Sequence, residues 1–330
     1  MNHLTTRRNL LVVLAALPLA ESLMALAQQT RRSAVIGVLD PRSEKENAFR
    51  VKALLEGLRE YGFVEGKNLV VHWRWAEGNY ERLPSLVAEL VQAKVDVIVA
   101  TGTPVVLAAK RGTSTIPIVM SNIGDPVGMG LVQSLARPGG NITGSTANQP
   151  EIVAKCLEIM RDAFPRTRHA GFLWNPNNPS QSLILASVEK AAMSLGIRLS
   201  NYPARKPEDF EGVFLEMTKN GADAVLVSTD SMFLSNTSLL GQIAARRKLP
   251  SIGFAEFAAA GGLLGYSANF LKVDHRAAYY VARILQGTKP ADLPVEQPTV
   301  FDFVVNLRTA KAHKFTLPPL VLARATRVIE

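Results

Sequence analysis

Asp40, Asp125 and Asp230 each stand where a short apolar run ends, and a carboxylate so placed can move a proton, hold a ligand group or cap a helix. Acid–base catalysis needs a partner at a readable spacing, and none of the three has one. The histidines, His3, His72, His169, His275 and His313, are far apart and lack the close helical spacing of a zinc site. Around Gly124, Gly128 and Gly130 a dinucleotide fingerprint fails because Gln133 occupies the last glycine position. Neither a phosphate-binding P-loop nor a G-x-S-x-G elbow occurs. The aspartates therefore fit hydrogen bonding or helix capping better than catalysis, and no metal or cofactor is expected.

The best-defined setting for such groups is Ser121 to Gly144. Ile116 to Met120 is a continuous apolar run of the kind buried on both faces of a parallel sheet, and it stops at Ser121, Asn122, Gly124 and Asp125. A helix is expected from Pro126, with Val127, Leu131 and Leu135 as its stripe and Arg137 to Asn141 as its stop. Ligands of open α/β sheets bind beyond the carboxyl ends of the strands, so Ser121 to Asp125 is expected on the floor of a cleft; an ordinary βα loop is the alternative.

The same plan occurs twice. Ala34 to Leu39 answers Ala170 to Trp174, Val95-Asp96-Val97 answers Ala222-Asp223-Ala224, and Ile116-Pro117-Ile118-Val119 answers Leu249-Pro250-Ser251-Ile252. The glycine corner Gly139 to Ser145 answers Gly261 to Ser267. Between these marks lie amphipathic helices closing at Gly62 and Gly196. A repeated βαβα pattern in a chain too long for one core predicts an α/β protein of two Rossmann-like, doubly wound, parallel-sheet lobes joined by hinge crossovers. The expected division is residues 33–145 plus about 268–298 for lobe I and 146–266 for lobe II. Residues 299–330 form a C-terminal crossover segment whose lobe the pattern leaves open.

Residues 1–27 read as a signal peptide: Arg7 and Arg8 precede the apolar run Leu10 to Ala20, and Ala25-Leu26-Ala27 offers a cleavage site near Ala27. A general or a twin-arginine export route fits, and the mature chain is expected in the periplasm. With 37 Lys and Arg against 28 Asp and Glu the chain carries +9, and loss of Arg7, Arg8 and Glu21 leaves +8. The basic residues are scattered and not interleaved with aromatics, so a solvated surface explains them better than nucleic acid. The single cysteine, Cys156, lies among Val153, Leu157 and Met160 and reads as a small buried hydrophobe; no cysteine near the cleavage point offers a lipid anchor.

Long motifs add a family to this reading. IPIV at 116–119, GDPVGMGLVQSLARPGGNITG at 124–144, WNPNNP at 174–179, GGL at 261–263, KPADLPVEQPT at 289–299 and VNLRTAKA at 305–312 resemble the ABC-transporter substrate-binding proteins of the group that includes a tryptophan-binding protein. That family is similar to type I periplasmic binding proteins, two lobes joined by three crossovers that close on a small molecule. The resemblance implies a non-enzymatic solute carrier, working as a monomer, with a membrane permease and its ATPase as partners. Three places depart from the family pattern: Gly265-Tyr266-Ser267 for Ser-Tyr-Gly, His313-Lys314-Phe315 for a leucine-glycine-leucine turn, and Arg327 for an acid. A ligand-sensing domain of a receptor or regulator, or an exported α/β enzyme, are the other readings; neither a helix-turn-helix segment nor a catalytic motif supports them.

Placing each strand's carboxyl end on the cleft gives the candidate ligand-binding set. Lobe I offers Asp40, Arg42, Thr101, Gly102, Thr103, Ser121, Asn122 and Asp125. Lobe II offers Asn175, Ser228, Asp230, Phe254 and Glu256, with Thr146, Asn148 and Tyr266 beside the crossovers. Thr103 opens an apolar helix whose free N–H groups suit a carboxylate, Asp230 suits an ammonium group, and Phe254 or Tyr266 suits an aromatic or apolar body. These roles favour an amino-acid-like solute; simple capping by Thr103 and Asp230 is the competing explanation.

Overall fold

The structure is a computed structural model that describes residues 32–330; the expected signal peptide lies outside them. β1 (Ala34–Asp40) leads into α1 (Glu44–Glu60), whose start is fixed by Glu46 accepting the Ser43 amide at 2.8 Å and its hydroxyl at 2.6 Å. β2 (Leu69–Trp75), α2 (Leu83–Gln92), β3 (Val97–Thr101), α3 (Thr103–Gly112), β4 (Ile118–Ile123) and β5 (Ile142–Thr146) complete an all-parallel sheet of order β2-β1-β3-β4-β5.

The chain then leaves this sheet. α4 (Gln149–Ala163), β6 (His169–Trp174), α5 (Ser180–Ser194), β7 (Arg198–Pro203), α6 (Phe210–Lys219) and β8 (Ala224–Val227) repeat the alternation. α7 (Ser231–Ser235), α8 (Thr237–Arg246), β9 (Ser251–Gly253), α9 (Ala255–Ala259) and β10 (Leu264–Ala268) follow. α10 (Phe270–Leu285) returns to the first sheet, packing on α1 and across β4 and β5. β11 (Phe301–Asn306) goes back to pair antiparallel with β10, and α11 (Leu307–His313), α12 (Pro319–Ala323) and β12 (Arg327–Ile329) end the chain. The second sheet has the order β12-β11-β10-β9-β8-β6-β7. Lys314, at the expected leucine-glycine-leucine turn, takes φ 58° beyond α11, a conformation glycine adopts without strain.

Each sheet is covered on both faces, which is why its central strands read as unbroken apolar runs. In the first, Ile36, Val38, Val97 and Val99 meet α1 and α10, while Leu39, Ile98 and Ala100 meet the α2 and α3 side. The two halves also share a device at the strand starts. Asp96 accepts the Val35 amide at 2.7 Å, and Asp223 accepts the Arg168 amide at 2.9 Å, so each aspartate before a third strand pins the strand beside it.

One expected helix does not form. After Pro126 the chain makes a single turn, ended by Gly130 at φ 62°, with the Gly130 amide on Val127 O (2.9 Å) and the Leu131 amide on Pro126 O (2.9 Å). That bond pair is a Schellman termination. Leu131 and Val132 are buried in the apolar cluster on the α2 and α3 side of the first sheet, so the apolar spacing served a turn rather than a helix face.

α1 and α10 approach closely at Gly57, where a Cβ would stand 2.7 Å from His275 O and 2.8 Å from Ala278 Cβ. Gly57→Ala should therefore destabilise the protein by about 1–3 kcal/mol in urea unfolding, despite alanine's better helix propensity. Unchanged or raised stability would show that the helices can part without cost.

Candidate functional site

The carboxyl ends of the strands from the two sheets face one another, and between them lies a cavity of about 480 Å³, counted with its mouth. Lobe I contributes Arg42, Arg50, Thr101, Gly102, Thr103 and Asn122; lobe II contributes Asn178, Gln181, Thr229, Asp230, Ser231 and Leu234; Gln149 and Phe270 stand at the crossovers. The lobes meet at Gly102, whose φ of 84° turns β3 into α3 and where a Cβ would lie 3.8 Å from Ser231 Oγ. A second, wider hollow opens outward past Pro41, Tyr80, Asn175 and Lys206.

Equivalent Asx turns shape the two walls. Asp40 Oδ1 accepts the Arg42 amide at 2.9 Å at the end of β1, and Asn175 Oδ1 accepts the Asn177 amide at 3.0 Å at the end of β6. From there the chemistry diverges. Asp40 is buried, which alone would raise its pKa, but Arg42 and Arg50 beside it and the Arg42 hydrogen bonds hold its carboxyl below the ordinary range. Arg42 Nε lies 3.3 Å from Asp40 Oδ1, and its Nη2 also donates to Asn47 Oδ1. Arg50, likewise buried, pairs with Asp274 at 2.9 Å. The Asp274 carboxyl accepts Ser121 Oγ at 3.0 Å and Asn122 Nδ2 at 3.2 Å.

Asp230 has no such cation. It is 3 % exposed, accepts Asn175 Nδ2 and Asn178 Nδ2, both at 2.8 Å, and caps α7 by accepting the Met232 amide at 3.0 Å. Burial pushes its carboxyl above the ordinary range, and the asparagine donors offset only part of that. No ion pair involves Asp230 among the described residues, so lobe II carries a buried carboxyl without a protein cation beside it.

Of the expected residues, Arg42, Thr101, Gly102, Thr103, Asn122 and Asp230 come together on the cavity, and Asn175 reaches its outer hollow. Asp40 and Ser121 lie behind that surface as partners of Arg42 and Asp274. Asp125 accepts the Gly128 amide at 2.8 Å and shapes its own turn. Thr146 Oγ1 donates to Ile123 O at 2.8 Å and accepts the Asn148 amide, so it and Asn148, at φ 48°, build the first crossover. Ser228 donates to Gln181 Oε1 at 2.7 Å, setting the orientation of a cavity residue. Glu256 is raised by burial, and its Oε2 has no partner.

The expected stacking residues are elsewhere. Phe254 is fully buried against Phe257, and the half-buried Tyr266 stacks on Phe301 at 5.7 Å against the second sheet's core. Phe270, Ile184 and Leu234 supply the cavity's apolar surface instead. Cys156 is buried beneath Tyr266, its thiol pushed up to about 12 by burial, as its apolar setting in the sequence suggested. Asn178 and Gln181, which the sequence reading did not single out, fall in or just after the WNPNNP motif.

Comparison with known proteins converges on one family. Residues 35–329 match the family described as ABC transporter substrate binding protein. A protein of Clostridioides difficile named tyrosine-binding protein is 26% identical over 270 residues, covering 79% of this chain and 75% of that one. A crystal structure of a conserved domain protein from Vibrio cholerae superposes with a TM-score of 0.85 at 29% identity, over 90% of this chain and 99% of the other. A domain from Streptococcus pneumoniae in complex with L-Trp gives 0.84 at 24% identity, over 90% and 100%.

The raised Asp230 carboxyl has a measurable sign. A folded-state value above the unfolded 3.8 contributes stability that is complete below 3.8 and is lost as pH rises through the folded value. The native protein should therefore be favoured over Asp230→Asn most at about pH 4, with the difference moving toward the variant by about pH 7.5 in urea unfolding. A difference constant with pH would mean that the carboxyl is not shifted.

Proposed function

The chain belongs to the ABC transporter substrate-binding protein family, and on that premise we propose that it captures an amino-acid-like solute between its lobes and delivers it to a membrane permease powered by an ATPase. The observation that carries this reading is Asp230: a buried carboxyl without a protein cation, on a cavity whose opposite wall begins a helix. An ammonium group would supply the missing countercharge. A carboxylate would lie against the first N–H groups of α3 near Thr103, where the helix dipole favours an anion. The amino-acid ligands in the names of the Clostridioides and Streptococcus relatives support the same class.

In this reading the lobes, residues 33–145 with 268–298 and residues 146–266, move as units about the crossovers, and the C-terminal strands travel with lobe II. The protein acts as a monomer outside the cytoplasm after loss of residues 1–27, and the exposed tips of both lobes meet the permease.

A thermal-shift panel of amino acids, aromatic acids and small peptides tests the reading: a true ligand at a hundred times its Kd should add about 2.7 kcal/mol of stability. Calorimetry with that ligand should then show Asp230→Asn losing about 2–5 kcal/mol of binding, and small-angle scattering should show the protein compacting. If the panel yields no stabilising solute, or if Asp230→Asn and Thr103→Ala bind as tightly as the native protein, the assignment fails.

A further inference from the structure

α1 and α10 carry charges where their spacing calls for apolar side chains. The buried stripe of α1 runs Asn47, Arg50, Leu54, Gly57 and Leu58, and that of α10 runs Phe270, Asp274, Ala277 and Val281. Arginine and aspartate at core positions are rare unless paired, and here they pair with each other at 2.9 Å. Asp274 is further held by Ser121 and Asn122 on β4, and the Arg50 guanidinium lies 5.0 Å over the Phe270 ring.

One end of this network is open. Arg50 is only 6 % exposed and lines the interlobe cavity, yet its Nη2 has no acceptor in the protein, and Asp274 Oδ2, 2.9 Å from Arg50 Nε, accepts no hydrogen bond either. Asn122 Oδ1 and Gln149 Oε1, on the same cavity, are buried acceptors without donors. Arg42, the cavity's other guanidinium, is already engaged by Asp40 and Asn47. Buried polar atoms left unpaired by the protein mark where a ligand's polar atoms complete the set.

We propose, building on the amino-acid reading above, that Arg50 is the residue that selects for an acid: its free Nη2 takes the ligand carboxylate, and Asp274 is the positioning residue that aims it. An arginine's planar fork suits a carboxylate, whereas a neutral amide leaves the charge unanswered. The ligand then lies across the cleft with its acid on lobe I, shared with the start of α3, and its ammonium on Asp230 of lobe II. Arg50 thus makes a carboxylate a condition of tight binding, beyond the amine that Asp230 requires.

The test compares each amino acid with its carboxamide by calorimetry on the mature chain. The native protein should prefer the acid of its best binder by about 30-fold or more. In Arg50→Met/Asp274→Asn, which removes both charges together, that preference should fall at least about tenfold, leaving what the start of α3 supplies. A merely structural role would weaken acid and amide alike, and that result overturns the proposal. Should the double variant fail to fold, Arg50→Lys keeps the charge beside Asp274 without the fork, and the acid preference should still drop about tenfold; an undiminished preference there overturns it. Equal affinity of the native protein for acid and amide refutes acid selection by Arg50 but leaves amino-acid capture standing. A panel in which no amino acid binds refutes both.

Discussion

The Arg50–Asp274 pair sets the terms for much of the molecule. Removing two charges from water costs several kcal/mol per ion, and the cost is offset only when geometry and further hydrogen bonds are good. Asp274 meets that condition in part: its Oδ1 takes Ser121 and Asn122 at the end of β4, while its Oδ2 stands 2.9 Å from Arg50 of α1 without a hydrogen bond, and burial still raises its carboxyl above the ordinary range. α10 is the element that comes back to the first sheet after the whole of β6 to β10 has been laid down elsewhere. Its attachment by directional bonds, with Gly57 letting the backbones close, fixes the angle at which the returning chain sits and where the cavity floor lies. The apolar contacts around it, among them Leu54, Ala277 and Val281, supply the bulk of the burial without choosing that register.

The two walls of the cleft descend from one plan and differ where it matters. The same Asx turn ends β1 and β6, and the same aspartate pins the strand next to β3 and β8. Lobe I pairs its buried charges, Arg42 with Asp40 and Arg50 with Asp274, although burial still raises the Asp274 carboxyl. Lobe II surrounds a lone carboxyl with amide donors. A cleft with a buried carboxyl on one wall and two guanidinium groups on the other is polar along a single direction.

The strands, their parallel order and the doubling were legible because buried parallel strands leave unbroken apolar runs and because the repeat kept its aspartate and glycine marks. The Pro126 helix was misread because Val127, Leu131 and Leu135 have helical spacing, while Gly130 in its left-handed conformation ends the turn after one cycle. Thr103 and Asp230 were readable as strand-end polar groups that reach the cavity. Phe254 and Tyr266 were not: Phe254, just past β9, is buried against Phe257, and Tyr266, on β10, lies half-buried against Phe301, since a period of two in a strand does not say which face is the cleft. Arg50 escaped because charged residues on a helix are taken for its wet face. Its place on the stripe with Leu54 and Leu58, matched by Asp274 on α10, was the available signal.

The order of segments along the chain has a further consequence for how the protein comes into being. One face of the first sheet is covered by α10, which ends at Leu285, and the second sheet lacks β11 and β12 until Asn306 and Ile329 exist. Neither half can bury itself from its own contiguous stretch, so a chain emerging in sequence leaves the α10 side of β3, β4 and β5 uncovered until residue 285 exists. Contacts of such long sequence separation are slow to form. The returning helix thus sets when the first sheet can finish packing, leaving a compact but incompletely covered intermediate until late in synthesis.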